Sequence, residues 1–134
     1  MKTILLIEDD LFIRTLLLDV LETENFQAIG AENGHIGVQL AREHMPDLIL
    51  CDVMMPLMNG YEVLSKLRED PVTASIPFIF LTAKTDSPDR CKSMQLGADA
   101  YLIKPFSSSE LLGAIDKWLS LGTSSPASPE GETL

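Results

Sequence analysis

Residues 48–52 read LILCD, an unbroken apolar stretch that ends in a carboxylate. Comparable stretches run from Ile4 to Ile7, from Phe78 to Leu81 and from Tyr101 to Ile103, and Ala28 to Ala31 is a weaker one. Strands need such continuous hydrophobicity when helices cover both faces of a parallel sheet. The pattern therefore predicts five buried parallel strands.

Segments with helical periodicity lie between the apolar runs. The first has apolar residues at the i, i+3, i+4 and i+7 positions of one helix face, namely Ile13, Leu16, Leu17, Val20 and Leu21. Ser107 before Glu110 and Asn59 before Glu62 are typical of capping boxes at helix starts. Because crossovers between parallel strands are right-handed, the sequence predicts an α/β fold. We expect a doubly wound five-stranded parallel sheet with helices on both faces.

Length and composition bound the class of protein. The 134 residues, 46% of them hydrophobic, allow one domain with a real core. A net charge of -10 argues against direct binding to nucleic acid or to anionic lipid. The first apolar run meets Glu8, Asp9 and Asp10 before it reaches the length of a signal peptide or membrane span, so we expect a cytoplasmic protein without membrane insertion. Cys51 and Cys91 form no CxxC pair and predict reduced, structural thiols.

The composition changes after Leu121. From there the chain is rich in Ser, Pro, Gly and Glu, which offer little to bury. The sequence therefore predicts a folded domain over residues 1–121 and a disordered tail over residues 122–134.

The residues that end the predicted strands carry the chemistry. Glu8 and Asp9 follow the first strand, Asp52 the third, Thr82 the fourth and Lys104 the fifth. In open α/β sheets, ligands bind outside the carboxyl ends of the strands, where the chain order reverses. We therefore expect these side chains to face one shared crevice. A single acidic residue in such a place can also simply cap the next helix, which is the interpretation that fits Asp10.

Three carboxylates in one crevice call for a cation. Each pair about 4 Å apart would repel by roughly 4 kcal/mol at an effective dielectric of about 20. Glu8, Asp9 and Asp52 offer hard oxygen ligands without Cys or His alongside, which favours Mg²⁺, with Mn²⁺ as the alternative. Lys104 and Thr82 suit the oxygens of a phosphoryl group. A carboxylate can itself be the nucleophile and form an aspartyl phosphate.

The sequence resembles the receiver domain of bacterial two-component response regulators, including the single-domain chemotaxis type, over Lys2 to about Leu119. This resemblance implies the flavodoxin-like strand order 2-1-3-4-5. The resemblance depends on several short motifs in the correct order. They are Ile7-Glu8-Asp9-Asp10 with Arg14, Asp52-Val53-Met54-Met55-Pro56 with Asn59-Gly60, Leu81-Thr82-Ala83, Gly97-Ala98-Asp99-Ala100-Tyr101 and Lys104-Pro105-Phe106.

The resemblance implies roles in phosphoryl transfer for the strand-end residues. Asp52 would accept a phosphoryl group from a histidine kinase or phosphotransfer protein. Mg²⁺ would be held by Asp9, Asp52 and the backbone carbonyl of Met54, with Glu8 binding directly or through water. Glu8 stands where many relatives have Asp, and its side chain is one methylene longer.

The resemblance also implies a switch. Lys104, Thr82 and Ala83 would bind the phosphoryl oxygens, and Thr82 would move inward so that Tyr101 changes rotamer. The peptide bond between Lys104 and Pro105 is cis in relatives. Met54 and Lys84 would flank the path of the hydrolytic water and tune the lifetime of the phosphorylated state.

By the same resemblance the chain is a single-domain response regulator that catalyses only its own phosphorylation and dephosphorylation. An unknown downstream protein would bind the face formed by the last helix, the fifth strand and the helix between the fourth and fifth strands. Ser87-Pro88 and Gly97 predict the start and end of that intervening helix. The residues expected on this face are Arg90, Lys92, Tyr101 and Lys117.

Three other functions are weaker hypotheses. A magnesium-dependent phosphatase on the same fold usually has a second Asp two residues after its nucleophile, where this chain has Met54. A flavodoxin-like cofactor carrier would need a phosphate loop rich in Ser, Thr and Gly after the first strand. A receiver-like domain that only binds partners would not need Asp9, Asp52, Thr82 and Lys104.

Overall fold

The computed structural model describes residues 1–83 and 98–123. In these residues, strands and helices alternate along the chain, and the helix predicted between the fourth and fifth strands lies outside the described residues. The elements are β1 (Thr3–Ile7), α1 (Leu11–Thr23), β2 (Gln27–Ala31), α2 (Gly34–His44), β3 (Leu48–Asp52), α3 (Gly60–Glu69), β4 (Phe78–Ala83), β5 (Ala100–Lys104) and α4 (Ser108–Thr123).

The five strands form one parallel sheet in the order β2-β1-β3-β4-β5. This order confirms the predicted doubly wound fold. The chain leaves β1 towards β2 at one side and later returns to place β3 at the other side of β1, so the chain order reverses between β1 and β3. Because the strands are parallel, their carboxyl ends share one edge of the sheet.

The sheet separates two apolar cores. Alternate residues of each strand point to opposite faces, so Leu5 and Ile7 face one core while Ile4 and Leu6 face the other. Buried residues of α2 and α3 complete the first core, and those of α1 and α4 complete the second. The central strands β1, β3 and β4 are buried on both faces, which explains their continuous apolar character. The edge strands β2 and β5 are partly exposed, so the prediction of five buried strands is wrong for these two.

Side chains cap the helices that begin near the carboxyl edge of the sheet. Asp10 Oδ1 accepts a hydrogen bond from the N–H of Ile13 at 3.0 Å, so this aspartate caps α1. Both predicted capping boxes are present, from Asn59 to Glu62 and from Ser107 to Glu110. Each cap satisfies main-chain donors that a helix start leaves without partners.

Two details differ from the sequence prediction. Leu16 was placed on the buried face of α1 but is exposed, because the buried stripe is centred on Leu17 and Leu21 and Leu16 lies at its edge. Helix α4 continues to Thr123, beyond the predicted domain boundary at residue 121. A glycine inside a helix costs only about 1 kcal/mol, so Gly122 does not have to end one. Within the described ranges, no helix combines the length and the apolar character that crossing a bilayer requires.

Gly60, the first residue of α3, brings that helix against the end of β3. Its N–H donates to the carbonyl oxygen of Val53 at 2.8 Å. A Cβ atom at Gly60 would lie 2.5 Å from the carbonyl oxygen of Asp52 and 2.9 Å from a ring carbon of Phe80. Only glycine therefore allows this approach without a shift of the backbone around Asp52.

We expect Gly60→Ala to lower the free energy of unfolding by about 1 to 3 kcal/mol, because the added methyl group overpacks a backbone contact. Gly113→Ala in α4 is the matched control, since no atom lies within 4 Å of a Cβ built there. A helical glycine replaced by alanine in open space should gain about 0.5 to 1 kcal/mol. Urea unfolding of both variants measures the two effects, and equal stability of Gly60→Ala and wild type would contradict the close contact.

Candidate functional site

The carboxyl edge of the sheet gathers three acidic side chains, Glu8, Asp9 and Asp52, which we call the acidic cluster. Glu8 and Asp9 directly follow β1, and Asp52 ends the neighbouring strand β3. One carboxylate oxygen from each residue lies within 4.8 Å of the others. Glu8 is 1% and Asp52 8% exposed, whereas Asp9 is exposed to solvent. Two of the three carboxylates are thus buried side by side.

Lys104, the last residue of β5, reaches across to the acidic cluster. Its Nζ atom lies 3.3 Å from Asp52 Oδ1 and 3.4 Å from Glu8 Oε1. The peptide bond that joins Lys104 to Pro105 is cis. The ammonium group therefore bridges the two buried carboxylates.

Four contacts fix Glu8. Its N–H donates to the carbonyl oxygen of Ala31 at 3.0 Å, and its own carbonyl oxygen accepts from Arg14 Nη1 at 2.7 Å. Its carboxylate accepts from the N–H of Asp10 at 3.1 Å and from Lys104. Both the main chain and the side chain of Glu8 are held in place.

Burial and mutual repulsion set the charge states in the cluster. Burial raises the pKa of the Glu8 carboxyl above its ordinary value, and the Asp52 carboxylate raises it further. Burial also raises the pKa of Asp52, although Lys104 opposes this effect. Burial alone would lower the pKa of Lys104, but Asp52 and Glu8 outweigh it and raise that pKa. The fold thus disfavours both buried carboxylates in their charged form and favours a positive charge next to them.

Cys51 precedes Asp52 and is fully buried. Burial, followed by the carboxylates of Asp52 and Glu8, raises the pKa of its thiol well above the usual value. A neutral thiol is a poor nucleophile. The prediction of a structural thiol is confirmed for Cys51, while Cys91 lies outside the described residues.

Of the other predicted site residues, Thr82, Ala83 and Met54 lie at the same edge, whereas Tyr101 lies near the start of β5. Thr82 is buried in β4, and Ala83 ends that strand. Met54 lies in the loop after β3 with 65% of its surface exposed. Tyr101 lies in β5 opposite Phe80 and packs partly buried against the core that contains α2 and α3.

Three residues with predicted roles lie outside the described residues: Lys84, Arg90 and Lys92. Lys117 is exposed on α4, and its Nζ atom lies 5.5 Å from the centre of the Trp118 ring. Trp118, the only tryptophan in the sequence, packs against the core formed by α1 and α4.

Sequence reasoning missed the contacts that hold the start of β5. Asp99 Oδ2 accepts from the N–H of Phe78 at 2.8 Å and lies 3.2 Å from Arg68 Nη2. Arg68 also donates to the carbonyl oxygens of Ala74 and Ile76. These contacts tie β5 to the start of β4 and so help to set the register that places Lys104. The one sign of these contacts in the sequence is Asp99, which directly precedes the apolar residues of β5.

The arrangement is chemically suited to a divalent cation and a phosphoryl group. The acidic cluster presents hard oxygen donors from three side chains, which is the donor type that Mg²⁺ and Mn²⁺ prefer. Lys104 adds a compact positive charge beside Asp52. Asp52 is therefore a carboxylate with a cationic neighbour, an arrangement that suits attack on a phosphoryl group.

Replacing Asp52 by asparagine should raise the unfolding midpoint in chelator at neutral pH, because it removes a carboxylate whose pKa the fold raises. A raised pKa means that the charged carboxylate is less favourable in the folded protein than in the unfolded chain. The advantage of Asp52→Asn over wild type should be absent below the ordinary pKa of 3.8. It should grow as pH rises through the folded-state pKa and then stay constant. Thermal unfolding in chelator across this pH range measures it.

Asp70 supplies a control of opposite sign. A hydrogen bond from the N–H of Val72 and the ion pair with Arg42 lower its pKa. Asp70→Asn should therefore be less stable than wild type at neutral pH and approach it as pH falls through the lowered pKa. The same direction of change in both variants would contradict the assigned electrostatics.

Comparison with known proteins identifies the family. The model of the response regulator receiver domain matches residues 4–116. The chain is 41% identical over 113 residues to the probable transcriptional regulator ycf29 of Pyropia yezoensis, covering 84% of this chain and 51% of that protein. The chain spans about half the length of the curated relatives it matches.

Solved structures agree with the sequence comparison. A putative response regulator from Chloroflexus aurantiacus has a TM-score of 0.84 and 30% identity, with 89% of this chain and 98% of that chain covered. The receiver domain of sensor histidine kinase PA1611 from Pseudomonas aeruginosa has a TM-score of 0.82 and 29% identity, with 89% and 98% covered. That structure has a magnesium ion coordinated in the active-site cleft. The matching family model and these structures show that the chain belongs to the response regulator receiver domain family of two-component signalling.

Proposed function

We propose that this chain is a phosphorylation-dependent signalling switch in which Asp52 accepts a phosphoryl group from a histidine kinase or phosphotransfer protein. One observation carries the proposal. Asp52 ends β3 beside two further carboxylates, and Lys104 Nζ lies 3.3 Å from its Oδ1. A nucleophilic carboxylate next to a fixed cation suits attack on a group whose negative charge is spread over several oxygens.

We propose Mg²⁺ as the cofactor, with Mn²⁺ as the alternative. Asp9, Asp52 and the backbone carbonyl of Met54 would bind it, and Glu8 would bind it directly or through water. The three carboxylates within 4.8 Å of one another support this set, because their repulsion favours a bound cation. When bound, the ion would neutralise charge on the phosphoryl oxygens.

The chain's own residues divide the transfer step between them. An oxygen of Asp52 forms the new bond to phosphorus while the bond between phosphorus and the donor's imidazole nitrogen breaks, and the nitrogen keeps the electron pair. Lys104 then contacts a phosphoryl oxygen in place of Asp52 Oδ1. Thr82 and Ala83 follow each other at the end of β4 and would donate to the remaining oxygens.

The proposed activity is confined to the chain's own acyl phosphate, which forms and is later hydrolysed. Cys51 is buried and neutral and takes no part in it. The expectation of a single-domain response regulator remains a prediction, as does the cytoplasmic location. The expectation of a disordered tail over residues 122–134 also stays a prediction, because residues 124–134 lie outside the described part of the chain.

With Mg²⁺ and acetyl phosphate, wild-type protein should gain the mass of one phosphoryl group, and Asp52→Asn should gain none because it lacks the nucleophile. Asp9→Asn keeps the nucleophile but loses a metal ligand, so its labelling should be at least about 10-fold slower at limiting Mg²⁺. Intact mass spectrometry follows all three proteins.

Asp116→Asn, which removes an exposed carboxylate from α4, is the control and should label like wild type. Labelling of Asp52→Asn would place the acceptor elsewhere. Wild-type protein that binds Mg²⁺ but gains no mass would instead favour the domain that only binds partners.

The switch is proposed to run from Thr82 to Tyr101. The two residues lie on adjacent strands, where Thr82 pairs with Ile103 and Tyr101 pairs with Phe80, two positions earlier in β4. A phosphoryl group that draws Thr82 inward would change the space available to the Tyr101 ring. The binding surface for an unknown downstream protein would then include β5 and α4. Such a shift is limited by how differently the two conformations bind the phosphoryl group.

Beryllofluoride, a mimic of the bound phosphoryl group, should therefore shift the fluorine NMR signal of fluorotyrosine at Tyr101. The chain has two tyrosines, so Tyr61→Phe assigns the signals. Thr82→Ala should reduce the shift, and Asp52→Asn should abolish it. An unchanged Tyr101 signal in phosphorylated wild-type protein would show that modification does not reach this residue.

A further inference from the structure

We propose that Arg14 is a positioning residue, which holds Glu8 and Asp9 in the arrangement that binds the divalent cation. The inference rests on the proposed function for the identity of that cation. Arg14 Nη1 donates a hydrogen bond to the carbonyl oxygen of Glu8 at 2.7 Å. The guanidinium group of α1 thus reaches back six residues to the turn that carries both carboxylates.

Arg14 binds the carbonyl oxygen of Glu8 rather than a carboxylate. The ion pairs within the described part of the chain involve Arg42, Arg68 and Lys104 and leave Arg14 out. The contact of Arg14 with the turn is therefore a main-chain contact. Its effect falls on the orientation of the backbone at Glu8.

The sheet leaves a place for the Arg14 side chain. Gly30 in β2 has no side chain, and a Cβ there would lie 3.3 Å from Arg14 Cδ and 2.8 Å from a terminal methyl group of Leu18. The aliphatic part of Arg14 therefore lies across β2 at this glycine. Packing at Gly30 restricts the stem of the Arg14 side chain, and the hydrogen bond to Glu8 restricts its guanidinium group.

The hydrogen bond controls Asp9 as well as Glu8. The carbonyl group of Glu8 and the N–H of Asp9 belong to one planar peptide unit. Fixing the carbonyl oxygen therefore fixes the plane from which the Asp9 side chain departs. Asp10, the residue after Asp9, caps α1 by accepting a hydrogen bond from the N–H of Ile13. The turn is therefore fixed on both sides of Asp9.

Electrostatics alone predicts the opposite effect of Arg14 on metal binding. A guanidinium group near a cation site repels the cation, so removal of its charge should tighten Mg²⁺ binding. If Arg14 positions the ligands, its removal should weaken Mg²⁺ binding. The sign of the change in affinity therefore separates the two roles.

The test compares Mg²⁺ affinity by titration calorimetry on the full, unphosphorylated chain. Arg14→Met keeps an aliphatic stem over Gly30 and loses the donor, and we expect its affinity for Mg²⁺ to fall about 10-fold. Arg14→Lys keeps a charge and a donor and should recover part of the loss. Labelling by acetyl phosphate should reach the wild-type rate in Arg14→Met when Mg²⁺ is raised by the same factor.

Arg42→Met is the matched control. It removes the same charge from α2, where Arg42 pairs with Asp70 at the end of α3 that is remote from Asp52. Its Mg²⁺ affinity should equal that of wild type. Gly30→Ala offers a second route, because the added methyl group crowds Leu18 at 2.8 Å and the stem of Arg14 at 3.3 Å while the charge of Arg14 is kept. We expect weaker Mg²⁺ binding in this variant too.

Equal or tighter Mg²⁺ binding by Arg14→Met, together with normal binding by wild type, would overturn the positioning role and leave the proposed function intact. Wild-type protein that binds no Mg²⁺ would overturn both. Thermal unfolding in chelator shows whether each variant is folded. If Arg14→Met does not fold, Gly30→Ala and Arg14→Lys decide the question.

Discussion

The site is organised around two buried carboxylates that repel each other and around Lys104, whose positive charge compensates for that repulsion. Glu8 and Asp52 end neighbouring strands and are almost completely buried, and burial raises the pKa of both. Lys104 bridges them at 3.3 and 3.4 Å. A buried pair of like charges is costly unless an opposite charge joins it. The site can therefore attract a cation through the two carboxylates and an anion through Lys104.

The remaining elements keep this site in a fixed arrangement. Gly60 allows α3 to start against the backbone of Asp52, and the cap at Asp10 fixes the start of α1. Asp99 and Arg68 tie the beginning of β5 to β4 and so help to set the strand register that positions Lys104. Pre-organised charges of this kind need little rearrangement when a phosphoryl group arrives. These contacts outside the two cores thus hold the charged atoms of the site in position.

Sequence reasoning located the acidic cluster because parallel strands share a carboxyl edge, and because Glu8, Asp9 and Asp52 directly follow apolar runs. It did not find the clamp between Arg68 and Asp99, whose partners are 31 residues apart. No periodic pattern marks such a pair. Leu16 was misplaced for a related reason, since the width of a buried helix face depends on what the helix packs against.

The sequence by itself determined the class of fold, the succession of strands and helices along the chain, the helix caps and the set of residues at the carboxyl edge. These features follow from hydrophobic periodicity and local hydrogen bonding, which act over a few residues. Only the tertiary structure decided that Lys104 bridges Glu8 and Asp52, and that Arg14 donates a hydrogen bond to the carbonyl oxygen of Glu8. Such contacts depend on how strands and helices pack in three dimensions, because their distances are set by register and side-chain reach rather than by neighbours in the chain.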